Sequence, residues 1–514
     1  MSDTTLSGAP AAATPAPEAA EAGPSRATLL VYFGALIAMF MATMDMQIVI
    51  TALPTIAGEF GNLHLFGWVG AAYLLSTAAV APFYGKLGDM YGRKNVVMTA
   101  IVLFLIGSAI CGMAWSMESL IAARILQGIG GGGLMVSAFA MIGELFGPRD
   151  RAKYQGYSSA VFALSSILGP VAGGYITGFV GWRWVFLVNL PVGLVVLAVI
   201  WFAMKSKFTE KKHKVDYLGG ALLAIATTAI VYWGDYVLDP SGPDLLTFVL
   251  PVVGIAAGIW FVMTERRVEE PIVPLRLFRN HTISIVTIVS LIAGSVTLGM
   301  FFYFALYFQT LTGLGPAEVG FLFLPASATS MVVSMLAGRL IASTGRYKWM
   351  PVAAMAIGAA LMVGFTFVDA HTSLWVLAPM MAVFGISMGL QFQVLMVAIQ
   401  AAAPLSDIGA ATGLITQART VGASLGLALN GAVMTFALTQ QNAALPADMA
   451  AQLPDGLTGL SPHIAADLPE AVRDVVLSHY SAGINAMFLW VAAMYVGATI
   501  LTIMLKDVQI PKRQ

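Results

Sequence analysis

A chain of 514 residues that is 58% hydrophobic and only 10% charged, with a mean hydropathy of +0.83, is not an ordinary soluble domain. Lys+Arg and Asp+Glu balance at 26 each, so there is no basic footprint for nucleic acid. The one cysteine, Cys111, excludes an internal disulfide.

Residues 1–27 are rich in Ala, Pro, Ser and Thr, too polar for the core of a signal peptide, and read as a disordered cytoplasmic tail. Beyond them, about 20 apolar residues are needed to cross ~30 Å of hydrocarbon. Fourteen such segments are predicted. They lie near 28–53, 67–87, 95–115, 119–146, 154–179, 184–204, 217–237, 245–264, 282–310, 317–341, 349–368, 373–400, 408–438 and 481–505. Charge supports this parity. Of the 26 Lys and Arg residues, Arg124 and Arg419 fall at membrane depth and Arg183 and Arg473 outside, leaving 22 on the side of the N-terminus.

The first segment carries a carboxylate, Asp45, within Phe40-Met-Ala-Thr-Met-Asp-Met-Gln-Ile-Val-Ile-Thr-Ala-Leu-Pro54. At that depth a carboxylate costs ~2.5–3.5 kcal/mol by insertion scales, so such residues are usually functional; the bland alternative is a polar residue that only ties helices together. Burial disfavours the charged form, which makes Asp45 a candidate for taking up and releasing a proton. The fourth segment carries Arg124, charged at any pH and in need of a partner inside the bundle. Beside Asp45 it would stabilise the deprotonated acid, so that proton release depends on conformation; a fixed structural pair is the alternative.

Gly85-Lys-Leu-Gly-Asp-Met-Tyr-Gly-Arg-Lys94 joins the second and third segments, with glycines for a tight turn and Asp89, Arg93 and Lys94 at the membrane surface. Arg124-Ile-Leu-Gln-Gly128 follows in the fourth segment and Gly169-Pro-Val-Ala-Gly-Gly174 in the fifth, with Gly156 upstream. Trp182-Arg-Trp-Val-Phe186 precedes Asn189 and Pro191, and Pro274-Leu-Arg-Leu-Phe278 precedes the ninth segment. With Asp45 and Ile50-Thr-Ala-Leu-Pro54, these motifs resemble the major facilitator superfamily, and within it the fourteen-span drug:proton antiporter branch. The loop matches the superfamily signature at Gly85, Leu87, Asp89, Gly92, Arg93 and Lys94, while Met90 stands where a basic residue is usual. Gly156, Gly169, Pro170, Gly173 and Gly174 match the antiporter motif, with Ser165 where glycine is expected. Gly338-Arg339 with Gly345-Arg346 is a weaker echo of the loop, as an internal repeat would leave.

The resemblance implies an all-α membrane protein of the major facilitator fold. Six-helix bundles over 28–204 and 282–505 would surround a midplane cavity, with two extra central transmembrane helices over 217–264. It implies a proton-coupled multidrug antiporter that exports lipophilic, often cationic compounds across the bacterial inner membrane, with both termini cytoplasmic and a monomer as the working unit. Protonation of Asp45 would then favour release of a cation. The fifth-segment glycines would close the outside, and Asp89 would meet the N-terminal end of the thirteenth segment when the inside is closed. No cofactor beyond the proton gradient and no metal are expected, and a periplasmic adaptor is left open. A dedicated exporter of one metabolite or siderophore, an importer, and a ligand sensor without flux are the other readings.

Enzyme motifs fail on context. Gly128-Ile-Gly-Gly-Gly-Gly133 satisfies G-x-G-x-x-G and Gly422-Ala-Ser-Leu-Gly426 satisfies G-x-S-x-G, but both lie inside apolar segments without a preceding strand. Candidates to line a substrate cavity are Gln47, Gln127, Gln391, Gln393, Arg419 and Asn430, with Tyr303, Tyr307 and Gln309 from the aromatic run Phe301–Gln309; that run reads as core first and cavity second. For Arg419 a structural tether is the equal alternative. The external loop 440–480 is acidic, and Ile464, Leu468, Val472 and Val476 recur every four residues, which suggests a short surface helix.

Overall fold

Ser25 caps the first helix by accepting the Thr28 N–H at 3.1 Å, satisfying one of the donors a helix start leaves free. In this computed structural model the described residues are 25–61, 65–145, 148–204, 216–237, 244–268, 271–273, 275–404, 407–453 and 456–505. Among them all regular structure is helical.

The first half comprises α1 (Arg26–Phe60), α2 (Phe66–Tyr91), α3 (Arg93–Gly112), α4 (Met117–Leu145), α5 (Pro148–Phe179), the short α6 (Arg183–Leu187) and α7 (Asn189–Ala203). Two helices follow, α8 (Tyr217–Val237) and α9 (Leu245–Glu265). The second half begins with α10 (His281–Ala293), which runs through a π-helical turn at Gly294–Leu298 into α11 (Gly299–Leu311). It continues with α12 (Pro316–Leu322), α13 (Leu324–Thr344), α14 (Trp349–Phe365), α15 (Leu374–Ala402) and α16 (Ile408–Ala444). The short α17 (Ala447–Ala450) and α18 (Pro462–Asp467) lead to α19 (Glu470–Ile503). Each of the fourteen expected ranges falls largely on helix. Eleven helices among the described residues are long and apolar enough to cross a membrane, and Phe66–Ala81 and Trp349–Phe365 are shorter apolar helices.

Helices α8 and α9 are central in sequence but peripheral in space. α8 lies against α2, where Tyr217 stacks on Phe83 (5.7 Å between ring centroids) and Tyr232 meets Trp68 edge-on (5.4 Å). It also packs on α16, so it flanks the seam between the halves. α9 covers α8 and exposes Leu245, Phe248, Val252, Ile255 and Ile259, which suits a lipid-facing helix.

The stretch between α16 and α19 differs from its expectation. The proposed helix through Ile464, Leu468, Val472 and Val476 is broken: α18 ends at Asp467, Leu468 is extended (φ −68°, ψ 140°), and α19 starts after Pro469. Proline disfavours helical backbone at the residue before it, which explains the break. The two long helices also take up both ends of the 440–480 loop. Its middle folds down as a cap, with Leu453, Leu457 and Leu460 buried.

Candidate functional site

Asp45 lies roughly 28 Å along α1 from Arg26, at 1.5 Å per residue. It is 1% exposed, and Arg124 and Gln127 on α4 and Ser108 on α3 are at 0%. Arg124 Nη1 donates to Asp45 Oδ2 at 2.5 Å and to Gln127 Oε1 at 2.7 Å. Its Nε donates to the Val69 carbonyl at 3.3 Å, and its guanidinium carbon sits 4.2 Å from the centre of the Tyr73 ring. Asp45 Oδ1 accepts from Gln127 Nε2 at 2.8 Å and from Asn189 Nδ2 at 2.7 Å. The same two amides reach Ser108 Oγ at 2.7 and 3.2 Å. Every neighbour donates to Asp45 and none accepts from it, an arrangement that fits the carboxylate form. One guanidinium nitrogen, Nη2, is buried without a hydrogen-bond partner.

The two halves meet at the end of the bundle remote from the chain termini and at mid-depth. On the remote side α5 crosses α12 so closely that backbone touches backbone: a Cβ on Gly320 would lie 2.5 Å from the Pro170 carbonyl oxygen, and one on Gly174 would overlap that of Pro316. Gln309 donates to the Thr51 carbonyl at 3.0 Å. At mid-depth Ser327 donates to the Ser166 carbonyl (2.9 Å) and Gln417 to that of Ala78 (3.2 Å). Among the described residues no recorded hydrogen bond joins the halves nearer the termini. This conformer is sealed at the remote end.

On the terminal side, Gly92 turns the chain from α2 into α3 at φ +86°, a conformation that favours glycine. Arg93 Nη1 donates back to the Gly85 carbonyl (3.1 Å), and Lys94 Nζ to that of Trp201 (2.6 Å). The side chain of Asp89 lies outside the described residues, and with it the expected contact between Asp89 and the start of α16, while Gly156 falls within α5. Gly169, Pro170, Gly173 and Gly174 lie along the faces of α5 that meet α1 and α12.

A match to the Major Facilitator Superfamily model spans residues 35–427, most of the chain. The chain belongs to this superfamily. This facilitator is 34% identical to the multidrug transporter protein MdtP of Bacillus subtilis, over 80% of this chain and 76% of that protein. It is 30% identical to multidrug resistance protein 3 of the same organism, over 90% of this chain and 92% of the other. In fold it is similar to a bacterial homologue of the human lysosomal transporter Spinster, solved inward-facing and unoccupied, with a TM-score of 0.70, 15% identity, and coverage of 94% of this chain and 97% of that one. These are transporters, and the facilitator is a membrane transporter rather than an enzyme. The glycines of both enzyme-like motifs lie inside helices, and Ser424 spends its hydroxyl on the Thr420 carbonyl (3.2 Å).

The facilitator brings Asp45 and Arg124 together and adds Gln127 to them, which sequence reasoning placed in the cavity instead. Asn189, Ser108 and Tyr73 were missed as members of this cluster. Asn189 and Ser108 are polar residues inside otherwise apolar runs, a signal that was there to be read. Of the other cavity candidates, Tyr303, Tyr307, Gln309, Gln391 and Asn430 are buried in this conformer. Tyr303 donates to the Leu427 carbonyl, Tyr307 to that of Val368, and Gln391 to Thr297 Oγ1. Gln47 and Arg419 are half-buried, and Gln393 is exposed.

Proposed function

We propose that this facilitator is a fourteen-span, proton-coupled exporter of lipophilic small molecules, set in a bacterial cytoplasmic membrane with both termini inside and working as a monomer. The observation that carries the proton assignment is the enclosure of Asp45, an acid at membrane depth whose two oxygens accept from Arg124, Gln127 and Asn189. The efflux relatives support the export direction. A proton added to Asp45 cancels the charge that Arg124 neutralises and turns one acceptor oxygen into a donor. Gln127 and Asn189 both present N–H groups to Oδ1, so the packing of α1 against α4 and α7 must readjust. That readjustment is the coupling step. One net charge moved per cycle supplies about 2.3 kcal/mol per 100 mV, roughly a fifty-fold concentration gradient.

The cationic cargo expected from the sequence needs Asp45 free of Arg124; in the present conformer Asp45 is occupied. A dedicated exporter of one compound uses the same coupling step, and a panel of substrates in counterflow separates it from a multidrug transporter. The deciding experiment is efflux from proteoliposomes under an imposed pH gradient. Asp45→Asn is expected to abolish gradient-driven efflux while leaving exchange of cargo across the membrane. Full driven efflux by Asp45→Asn would refute the assignment, and a wild type without any flux would make the chain a sensor.

A further inference from the structure

The helix α16 is amphipathic in a way that a lipid-facing helix is not. Ala411, Leu414, Ile415 and Ala418 are buried in the second half, while the opposite face presents Thr412, Gly413, Thr416, Gln417, Arg419 and Thr420, all half-buried or exposed. A polar, accessible face at membrane depth belongs on water rather than on hydrocarbon. Gln417 and Arg419 mark the two edges of that face. Gln417 donates to the Ala78 carbonyl on α2, across the seam between the halves, and Arg419, two residues on, lies against Phe392 of α15, so the face between them looks out between α2 and α15. The polar face of α16 therefore lines the inter-half crevice below the sealed remote end.

Arg419 is the cation of that face. Its guanidinium carbon lies 4.6 Å from the centre of the Phe392 ring on α15, and it has no hydrogen-bond or ion-pair partner among the described residues. The tether reading requires a carboxylate within reach, and the described acids of the second half lie elsewhere. Asp448, Asp467, Glu470 and Asp474 are on α17, α18 and the start of α19, beyond the far end of α16, and the other three are already engaged. Asp407 pairs with Arg276 at 2.6 Å, Glu318 accepts the Gly315 N–H at 2.9 Å, and Asp369 accepts from Thr372 at 2.7 Å in a loop at the remote end. Among the described residues at membrane depth Asp45 and Arg124 cancel, which leaves Arg419 as a positive charge on the crevice without a counter-charge among them.

We propose that Arg419 and Phe392 form an anion-accepting subsite in the inter-half crevice, which takes the carboxylate of a lipophilic cargo while the aromatic ring carries its apolar body. This deepens the exporter reading and rests on it only for the word cargo. A planar guanidinium matches a carboxylate with two parallel N–H groups, and the ring beside it orients the fork.

The test is binding to the full-length protein in detergent, which needs neither flux nor a gradient and so stands or falls apart from proton coupling. The probes are 1-pyrenebutanoate and its uncharged methyl ester, followed by energy transfer from the chain's tryptophans. Arg419→Gln is expected to weaken the carboxylate about tenfold or more, the weight of one charge-assisted hydrogen bond, and to leave the ester unchanged. Arg419→Lys is expected to recover part of the loss. Equal carboxylate binding by wild type and Arg419→Gln overturns the subsite, as does an equal loss of both probes. Displacement of the carboxylate by inorganic phosphate or by phosphatidylglycerol at matched concentration would assign the site to a simple anion or a lipid headgroup and overturn the cargo assignment.

Discussion

The buried pair can be tested by a double-mutant cycle on Asp45 and Arg124. Asparagine at 45 offers one acceptor oxygen where three donors converge. If that oxygen faces Gln127 and Asn189, the new amide N–H groups face the guanidinium; if it faces Arg124, they face two other amides. Either way Arg124 keeps its charge, at 0% exposure, without a counter-charge. Stranding one member of a buried ion pair costs about 3–5 kcal/mol, more than the about 1.5–3 kcal/mol that goes with a single hydrogen bond to a charged group. Arg124→Gln strands Asp45 at a cost of the same order. The double variant removes both charges and leaves amides that can bond to one another. It should be no less stable than the worse single variant, which corresponds to a coupling at least as large as the smaller single loss, ~3 kcal/mol. Unfolding of the purified full-length protein in detergent, followed by tryptophan fluorescence, measures all four corners. Single losses that simply add, within ~0.5 kcal/mol, would mean the two side chains do not act as a pair.

Two predictions concern the seal at the remote end. Gly174→Leu places a side chain against the Pro316 backbone, and should hold this end open. A cysteine introduced at Thr310, in a background where Cys111 is serine, should then react with a membrane-impermeant maleimide several times faster, and an unchanged rate would show that the α5–α12 contact is not the seal. Gln309→Leu removes the bond to the Thr51 carbonyl, worth about 1 kcal/mol, and should raise the population open at this end about fivefold in the same labelling assay; a change of less than twofold would assign the seal to backbone packing alone.

What was legible in the sequence followed from hydropathy and from the glycines. The apolar segments fall on helices because a chain in hydrocarbon must satisfy its backbone internally, so an apolar run of sufficient length has little choice of structure. Asp45 and Arg124 were legible as individuals because charge at membrane depth is costly enough to stand out. Their company was not. Gln127 and Asn189 carry no charge, and which polar groups close around a carboxylate depends on how α3, α4 and α7 cross α1, which is a tertiary fact. The same limit explains the cavity candidates. Gln391, Asn430 and Tyr303 look like ligand-facing groups in a list, yet they bond to Thr297, Met300 and the Leu427 carbonyl within the second half. The break at Leu468 was readable and was overridden by the four-residue apolar spacing, although Pro469 argues against helix at that point.

The depth of Asp45 bears on how cargo and proton can be exchanged. At 1% exposure, enclosed by α1, α3, α4 and α7, it lies behind the crevice rather than in it. Direct competition, in which a cation and a proton take turns on one carboxylate, needs Arg124 to swing away and open a path to Asp45. Coupling through packing needs only that protonation change how α1 sits against α4. The two schemes differ in a measurable way. If cargo and proton share Asp45, Asp45→Asn should weaken a lipophilic cation such as tetraphenylphosphonium by about tenfold or more, the loss of one charge contact. If coupling runs through the helices, the variant should bind that probe as the wild type does, lose driven efflux, and lose any pH dependence of maleimide labelling of a cysteine introduced at Thr310 beyond that of a free thiol. We expect the second outcome. A variant whose cargo affinity collapses while its labelling still follows pH would place Asp45 in the cargo's path and refute coupling through the helix packing.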